Sequence, residues 1–200
     1  MIPATEALRY DYPDLHKDSV VVDAGAYQGN WSKVIHEKYG CIVLAFEPVK
    51  AFFDTACETC KAYRRINLFH CALGGHFRYA EFGVQDDSSG AFAASETRER
   101  SPVMPLVPHL RQIYPGRFAL LKLNVEGMEF EIMEHILAEG AATMFDHYQI
   151  QWHSCAGADS EQRRAAILDK LSLTHHHAWG NPPETFHDNT WEGWSANTHG

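Results

Sequence analysis

Short apolar, β-branched segments alternate with helix-like stretches along this chain, and this alternation restricts the possible folds more than any other feature. The strand-like segments are 19–25, 41–48, 66–73, 118–125 and 147–153. The helix-like stretches are 30–40, 49–63, 128–140 and 159–173. Strands that are apolar on both faces and alternate with helices indicate a mainly parallel sheet covered on both sides. We therefore predict an α/β fold with a single doubly wound, mainly parallel sheet and helices on both faces.

The third strand-like segment is not followed directly by a helix. Residues 74–92 predict an added hairpin with a polar loop, and the prolines within 96–108 argue against a long regular element there. Residues 174–194, rich in aromatic residues and His, predict terminal strands around a Pro-Pro loop. Because the sequence contains no repeat, low-complexity tract or linker, we expect residues 1–200 to form a single domain.

The composition of the chain disfavours some classes of binding partner. The chain has 200 residues, of which 45% are hydrophobic, which suits one domain with a sizeable core. Its formal net charge of −9 disfavours a sequence-independent grip on nucleic acid, which needs a dense basic face. No signal peptide and no apolar run of about 18 residues is visible, and five cysteines at irregular spacing suit a reducing compartment. We expect a cytoplasmic protein without a nucleic-acid or membrane partner, and the oligomeric state stays open.

The first strand-like segment ends in a glycine loop. Gly25 and Gly29 lie between this strand and the next helix, where glycines allow a tight turn and the close approach of a ligand. The dinucleotide fingerprint G-x-G-x-x-G is absent, because its first glycine is replaced by Asp23. A carboxylate at this point would repel a phosphate but attract a cationic centre. A sulfonium with an amino-acid tail therefore fits better than a dinucleotide.

The second strand-like segment ends in Glu47. An acid about 20 residues beyond a glycine loop is where nucleotide-binding sheets hydrogen-bond a ribose diol. Pro48 favours an extended conformation for Glu47, which keeps its side chain at the edge of the sheet. An alternative is that Asp23 caps the next helix and Glu47 is solvated. Because the two acids follow consecutive strands, the pair favours an adenosine site.

Four segments of the chain resemble one family of enzymes. The segments VVDAGAYQGNWS, AFEP, HCALGG and LLKLNVEGMEFEIM occur in the order and spacing of the FkbM family of S-adenosylmethionine-dependent methyltransferases. The similarity covers residues 18 to 155, and its most specific element has the pattern K-x-[DN]-[VI]-E-G-x-E.

The resemblance implies a class I methyltransferase-like Rossmann fold that binds S-adenosyl-L-methionine at the carboxyl ends of the strands. In this resemblance, Asp23, Gly25, Ala26 and Gly29 match the donor-binding loop, and Glu47 matches the ribose acid. Relatives methylate hydroxyl or carboxyl groups, commonly on sugars or natural products. A small-molecule or glycan acceptor is therefore expected.

The candidate catalytic residues lie at the ends of the fourth and fifth predicted strands. Methyl transfer to a hydroxyl requires alignment and benefits from a general base, for which Glu126 and His153 are the candidates. Alternatively, Glu126 bonds backbone amides at the start of its helix and His153 is only an interfacial residue. Many family members have Asp where this chain has Asn124, which cannot act as a base but can orient the donor by hydrogen bonds. Lys122 is expected to pair with an acid or to span the edge of the sheet.

No metal site is predicted. The pair Cys57 and Cys60 falls within a predicted helix. The histidines of 175–177 could bind a metal together with His187 and Asp188, but they suit a surface or an acceptor pocket better. The sequence thus favours a methyltransferase that modifies a hydroxyl of a small molecule or glycan. The alternatives are a catalytically degenerate fold that acts as a binding module and, less favoured, a dinucleotide-dependent oxidoreductase.

Overall fold

The computed structural model describes residues 4–84, 97–154, 157–180 and 189–197. The strands are β1 (Val20–Ala24), β2 (Ile42–Phe46), β3 (Ile66–Phe69), β4 (Ala72–Gly74), β5 (Arg78–Gly83), β6 (Arg98–Pro105), β7 (Phe118–Leu123), β8 (Phe145–Trp152), β9 (His175–Gly180) and β10 (Thr190–Ala196). The helices are α1 (Ala4–Leu8), α2 (Asn30–Tyr39), α3 (Lys50–Cys60), α4 (Leu106–Ile113), α5 (Glu129–Ala138) and α6 (Ser160–Leu171), with a 3₁₀ turn at Ala142–Met144. Among these helices, none is long and apolar enough to cross a membrane.

Seven strands form one sheet in the order β3-β2-β1-β7-β8-β10-β9. The first five strands in this order pair in parallel, whereas β10 is antiparallel to both β8 and β9. The mainly parallel sheet and the terminal strands are therefore confirmed. The strand order reverses between β1 and β7, and in open α/β sheets a ligand-binding crevice lies at the carboxyl ends of the strands at such a reversal.

Helices cover both faces of this sheet. Leu120 and Leu121 are neighbours on β7 and belong to different cores, because successive side chains of a strand point to opposite faces. Leu120 lies in the core that contains Trp31 and Ile35 of α2. Leu121 lies in the core that contains Phe130 of α5. The doubly wound arrangement is thus confirmed.

The insert after the third strand is a second, three-stranded sheet in the order β4-β6-β5. The antiparallel pair of β5 and β6 confirms the hairpin, although its loop lies outside the described residues. The expectation against a long regular element in 96–108 is wrong, because β6 has eight residues and leads directly into α4. Pro102 is accommodated because β4 pairs only with residues 103–105, and Pro105 ends the strand.

Candidate functional site

The loop after β1 approaches the backbone that follows β7. The N–H groups of Gly25 and Ala26 both donate to the carbonyl of Phe46 at 3.0 Å. Gly25 has a φ of 78°, and a Cβ at this position would lie 1.9 Å from the carbonyl oxygen of Asn124. Only glycine fits where these two backbone segments approach so closely. This approach brings the ends of β1, β2 and β7 together.

The loop continues through Tyr27 and Gly29 into α2. Gly29 caps the helix with a φ of 79°, and a Cβ there would meet the Sγ of Cys60 at 2.9 Å. Tyr27 also has a positive φ, 53°, which is uncommon for a residue with a side chain. Its backbone N–H donates to Oε2 of Glu47 at 2.8 Å, so the end of β2 holds the strained part of the loop.

Asp23 lies beneath this loop rather than along a pocket wall. Its side chain is fully buried, where Oδ1 accepts from Nζ of Lys122 at 2.8 Å and Oδ2 accepts from Oγ of Ser32 at 2.6 Å. Lys122 also donates to the carbonyl of Gly25 at 2.7 Å. The prediction that Lys122 pairs with an acid is confirmed. Asp23 therefore contacts the loop through a lysine, and the structure does not bring its carboxylate to the pocket surface.

Glu47 is a buried carboxylate at the end of β2. Its exposed fraction is 5%, and Oε1 accepts from the backbone N–H of Val49 at 2.9 Å while Oε2 accepts from Tyr27. Burial raises the pKa of Glu47 to about 7, against the lowering effect of these two N–H groups. Each carboxylate oxygen can still accept a further hydrogen bond, so Glu47 can bind two hydroxyl groups.

A pocket of about 670 Å³ lies at the carboxyl ends of β1, β2 and β7. Its walls are formed by Gly25, Tyr27, Phe46, Glu47, Pro48, Phe52, Ala72, Leu73, Phe82, Asn124, Val125, Glu126 and Met128. Phe82 comes from β5, so the inserted sheet supplies part of the wall. Of the predicted site residues, Gly25, Glu47, Asn124 and Glu126 line the pocket.

Asn124 and Glu126 follow β7 and face this pocket. The Oδ1 atom of Asn124 is buried and has no hydrogen-bond partner among the described residues. Glu126 has a φ of 49° and precedes Gly127, whose φ is 100°. A left-handed backbone at a residue with a side chain costs about 1–3 kcal/mol, so this turn is strained where it meets the pocket.

His153 lies behind Glu126, not on the pocket wall. Its Nε2 atom is 3.5 Å from Oε1 of Glu126, and its side chain is 3% exposed. On the other side of the ring, Nδ1 lies 3.2 Å from Oε1 of Glu129. The structure thus brings the two catalytic candidates together and places a third side chain, that of Glu129, next to His153.

Sequence reasoning missed Glu129. This carboxylate is fully buried, accepts the backbone N–H of Gly127 at 2.8 Å and accepts that of His153 at 2.7 Å. The binding of backbone amides at the helix start, considered above for Glu126, is therefore performed by Glu129. The last acid of the pattern K-x-[DN]-[VI]-E-G-x-E was the signal that could have identified it.

The remaining predicted constellations lie away from the pocket. Cys57 and Cys60 are free thiols on α3, and Nε2 of the buried His175 lies 3.0 Å from the carbonyl of Phe145. His187 and Asp188 lie outside the described residues. Within the described part of the chain, no group of three or more His, Cys, Asp or Glu side chains could hold a metal ion.

Comparison with known proteins identifies the family. The FkbM methyltransferase domain matches residues 23–171, which include the glycine loop, Glu47 and the pocket-lining turn. This chain belongs to the FkbM methyltransferase family. It is thereby an S-adenosylmethionine-dependent methyltransferase by family, as the sequence motifs predict. Among curated proteins, none matches the chain significantly by sequence.

Solved structures confirm the class I methyltransferase-like fold of this FkbM chain. An rRNA methylase from Streptococcus thermophilus has a TM-score of 0.59 at 12% identity, with 98% of each chain covered. A protein from Streptococcus mutans assigned as a methyltransferase, in complex with S-adenosylhomocysteine, has a TM-score of 0.59 at 10% identity, over 98% of this chain and 100% of that one. A precorrin-6y C5,15-methyltransferase from Geobacter metallireducens has a TM-score of 0.54 at 12% identity, covering 95% and 85%. At these identities the likeness concerns the fold alone.

Proposed function

We propose that this chain binds S-adenosyl-L-methionine in the pocket at the carboxyl ends of β1, β2 and β7 and methylates a hydroxyl group of a small molecule or glycan. The observation that carries the proposal is the convergence of Glu47, Asn124 and Glu126 on one pocket. These residues come from the ends of two strands and occupy the crevice where the strand order reverses.

The residues of the pocket fit the methyl donor. Glu47 offers two oxygens, each already fixed by one backbone N–H, to the two hydroxyl groups of a ribose. The buried Oδ1 of Asn124 has no partner among the described residues and can accept from the ammonium group of the donor. The apolar wall that includes Phe52, Leu73 and Phe82 suits a purine ring. The ribose, the ammonium group and the purine of the donor therefore each have a matching acceptor or apolar surface in the pocket.

The other predicted donor-binding residues act through the loop. Asp23 holds Lys122, which holds the carbonyl of Gly25, so the acid fixes the loop without touching the donor. Ala26 is buried in the turn and Gly29 begins α2. In this proposal Asp23, Ala26 and Gly29 give the loop after β1 its shape, and the donor lies against the surface of this loop.

The donor supplies a methyl group activated by its sulfonium, so the residues of the chain mainly align the acceptor and take up its proton. Alignment in well-oriented systems contributes about 7–11 kcal/mol, and a general base contributes about 10²–10⁴-fold in rate. Glu126 lines the pocket, which supports a role as the group that accepts the proton of the hydroxyl. His153, directly behind it, is the second candidate.

The net charge of the chain supports a small molecule, and not a nucleic acid, as the acceptor of the methyl group. A net charge of −9 disfavours the dense basic face that holds a nucleic-acid backbone, which supports this part of the proposal. The rRNA methylases among the similar structures share the fold at 10–12% identity, which does not identify an acceptor. We accordingly propose a cytoplasmic enzyme that acts on neither nucleic acid nor membranes.

Calorimetry followed by a turnover assay tests the proposal. We expect S-adenosylmethionine and S-adenosylhomocysteine to bind, NAD not to bind, and S-adenosylhomocysteine to be released when a suitable hydroxyl acceptor is supplied. Tight NAD binding without a response to S-adenosylmethionine would support the oxidoreductase alternative. Donor binding without turnover across a broad panel of sugars and hydroxylated small molecules would support a binding module, for which Asn124 in place of Asp is the favouring observation.

A further inference from the structure

Three side chains form a line that runs from the pocket into the protein. Glu126 lies on the pocket wall with a side-chain exposure of 23%, His153 behind it is 3% exposed, and Glu129 at the inner end is fully buried. The distances along the line are 3.5 Å from Glu126 Oε1 to His153 Nε2 and 3.2 Å from His153 Nδ1 to Glu129 Oε1. An imidazole is thus placed between two carboxylates.

The inner contact determines which nitrogen of His153 carries a proton. Both oxygens of Glu129 already accept a backbone N–H, Oε2 from Gly127 and Oε1 from His153, so this carboxyl group faces His153 as a hydrogen-bond acceptor. A third contact with Nδ1 is attractive only if Nδ1 carries a proton. Because Nδ1 lies at hydrogen-bond distance, 3.2 Å, from Glu129 whereas Nε2 lies farther, 3.5 Å, from Glu126, the single proton of neutral His153 is on Nδ1 and its lone pair is on Nε2, on the side of Glu126.

The outer contact couples the base to the pocket. When a proton arrives on Glu126, the protonated carboxyl can donate to Nε2 of His153. The proton can then pass to the ring and form an imidazolium between two carboxylates, each of which stabilises the positive charge. Arg164 of α6, whose guanidinium lies 6.0 Å from the ring of Trp152, the residue before His153, is paired with Glu192 of β10, with Nε 2.7 Å from Oε1.

We propose that Glu129 is a positioning residue that fixes the proton of His153 on Nδ1, so that Glu126 and His153 together carry the proton released by the acceptor. In the transfer step the hydroxyl oxygen bonds to the methyl carbon, the carbon–sulfur bond breaks and its electron pair stays on sulfur. The hydroxyl proton moves to Glu126 and from there to His153 Nε2. This inference rests on the proposed function but concerns a residue that touches neither substrate.

Glu129→Gln tests the proposal, because it keeps the shape of the side chain and removes its charge. We expect S-adenosylhomocysteine binding to be unchanged and kcat to fall by about tenfold or more, with KM little affected. The acidic limb of the kcat–pH profile should move by about one unit to lower pH, because loss of the negative neighbour makes His153 less basic.

Glu131→Gln is the matched control. Glu131 lies two residues further along the same helix, where it accepts the backbone N–H of Gly75 at 2.7 Å and pairs with Arg78, and it does not line the pocket. We expect this variant to lose stability but to keep the pH profile of the wild type. A shift of the profile in both variants would indicate a general effect of α5 and contradict the proposal.

A second readout does not depend on activity. Long-range ¹⁵N–¹H NMR of the histidine side chains, with His153 assigned by comparison with His153→Gln, reports the tautomer directly. We expect the Nδ1–H form in the wild type and a mixture in Glu129→Gln. An Nε2–H tautomer in the wild type would overturn the positioning role, even if Glu129→Gln failed to fold. Absence of donor binding and turnover in the wild type would contradict the proposed function instead, so the two failures are distinguishable.

Discussion

Oε2 of Glu47 accepts the backbone N–H of Tyr27 at 2.8 Å, although Glu47 follows β2 and Tyr27 lies in the loop after β1. The φ of Tyr27 is 53°, a conformation that needs support from its surroundings. The same carboxylate accepts the N–H of Val49, immediately before α3. A single acid therefore organises the loop, begins a helix and faces the pocket.

The position of Glu47 predicts that nucleoside binding depends on pH. Because the pKa of Glu47 is raised to about 7, the carboxyl is largely protonated at pH 6 and largely ionised at pH 8. Only the ionised form accepts from both hydroxyl groups of a ribose while holding both N–H groups. We expect affinity for 5′-methylthioadenosine, which lacks the amino-acid part, to fall about tenfold from pH 8 to pH 6 in calorimetry. Glu47→Gln should bind weakly at both pH values, and a flat wild-type profile would contradict this assignment.

The same raised pKa predicts how stability changes with pH. Between its ordinary value of 4.5 and about 7, Glu47 binds more protons in the folded protein than in the unfolded chain. Its contribution to stability is therefore fully present below pH 4.5 and is lost as pH rises through 7. We expect Glu47→Gln to become more stable relative to the wild type by up to about 3 kcal/mol between pH 4.5 and pH 8. Denaturant unfolding of both proteins at several pH values measures this difference, and a variant that became less stable relative to the wild type as pH rises would contradict the assignment.

Gly25→Ala separates backbone strain from steric collision. Both Gly25 and Gly140 have a positive φ, but a Cβ at Gly25 would lie 1.9 Å from the carbonyl of Asn124 whereas Gly140 has no atom within 4 Å. We expect Gly140→Ala to cost about 1 kcal/mol and leave donor binding intact. Gly25→Ala should cost at least about 2 kcal/mol more and abolish binding of S-adenosylhomocysteine. Equal effects of the two substitutions in unfolding and calorimetry would argue against the close approach of the loop to β7.

The sheet and its helices were predictable because they follow from local patterns. Apolar runs define the strands, helical spacing defines the helices, and neither depends on which residues meet in space. The sequence did not predict β6 because it does not show that β4 pairs with residues 103–105 alone, which leaves Pro102 outside this pairing and Pro105 at its end. The acceptability of a strand proline depends on its neighbours, and these are set by the tertiary fold.

The details of the site were less predictable because they depend on register and on long-range contacts. Asp23 is opposite Lys122 in the pairing of β1 with β7, and this register directs the acid to a lysine instead of the pocket. Glu129 acquires its role by meeting His153, which is remote in sequence. Residue type and position at a strand end sufficed for Glu47, Asn124 and Glu126, which do line the pocket.

The unpartnered oxygen of Asn124 predicts opposite effects on stability and on donor binding. In the free protein its buried Oδ1 has no hydrogen-bond partner among the described residues, and a buried acceptor in this state costs about 1–3 kcal/mol. Asn124→Ala removes that atom. We therefore expect the free energy of unfolding without ligand to stay within about 0.5 kcal/mol of the wild type or to rise.

Asn124→Ala should also weaken binding of the methyl donor, because Oδ1 of Asn124 is the proposed hydrogen-bond acceptor for the donor's ammonium group. We expect the Kd of S-adenosylhomocysteine to rise about tenfold, equivalent to about 1.4 kcal/mol, while the Kd of 5′-methylthioadenosine, which has no ammonium group, stays unchanged. Asn124→Asp is the matched variant: its carboxylate should tighten binding of S-adenosylhomocysteine but lower the stability of the free protein, since it adds a charge beside Glu126. Equal losses of affinity for the two ligands in Asn124→Ala would place Oδ1 at the nucleoside or in the fold, and not at the ammonium group.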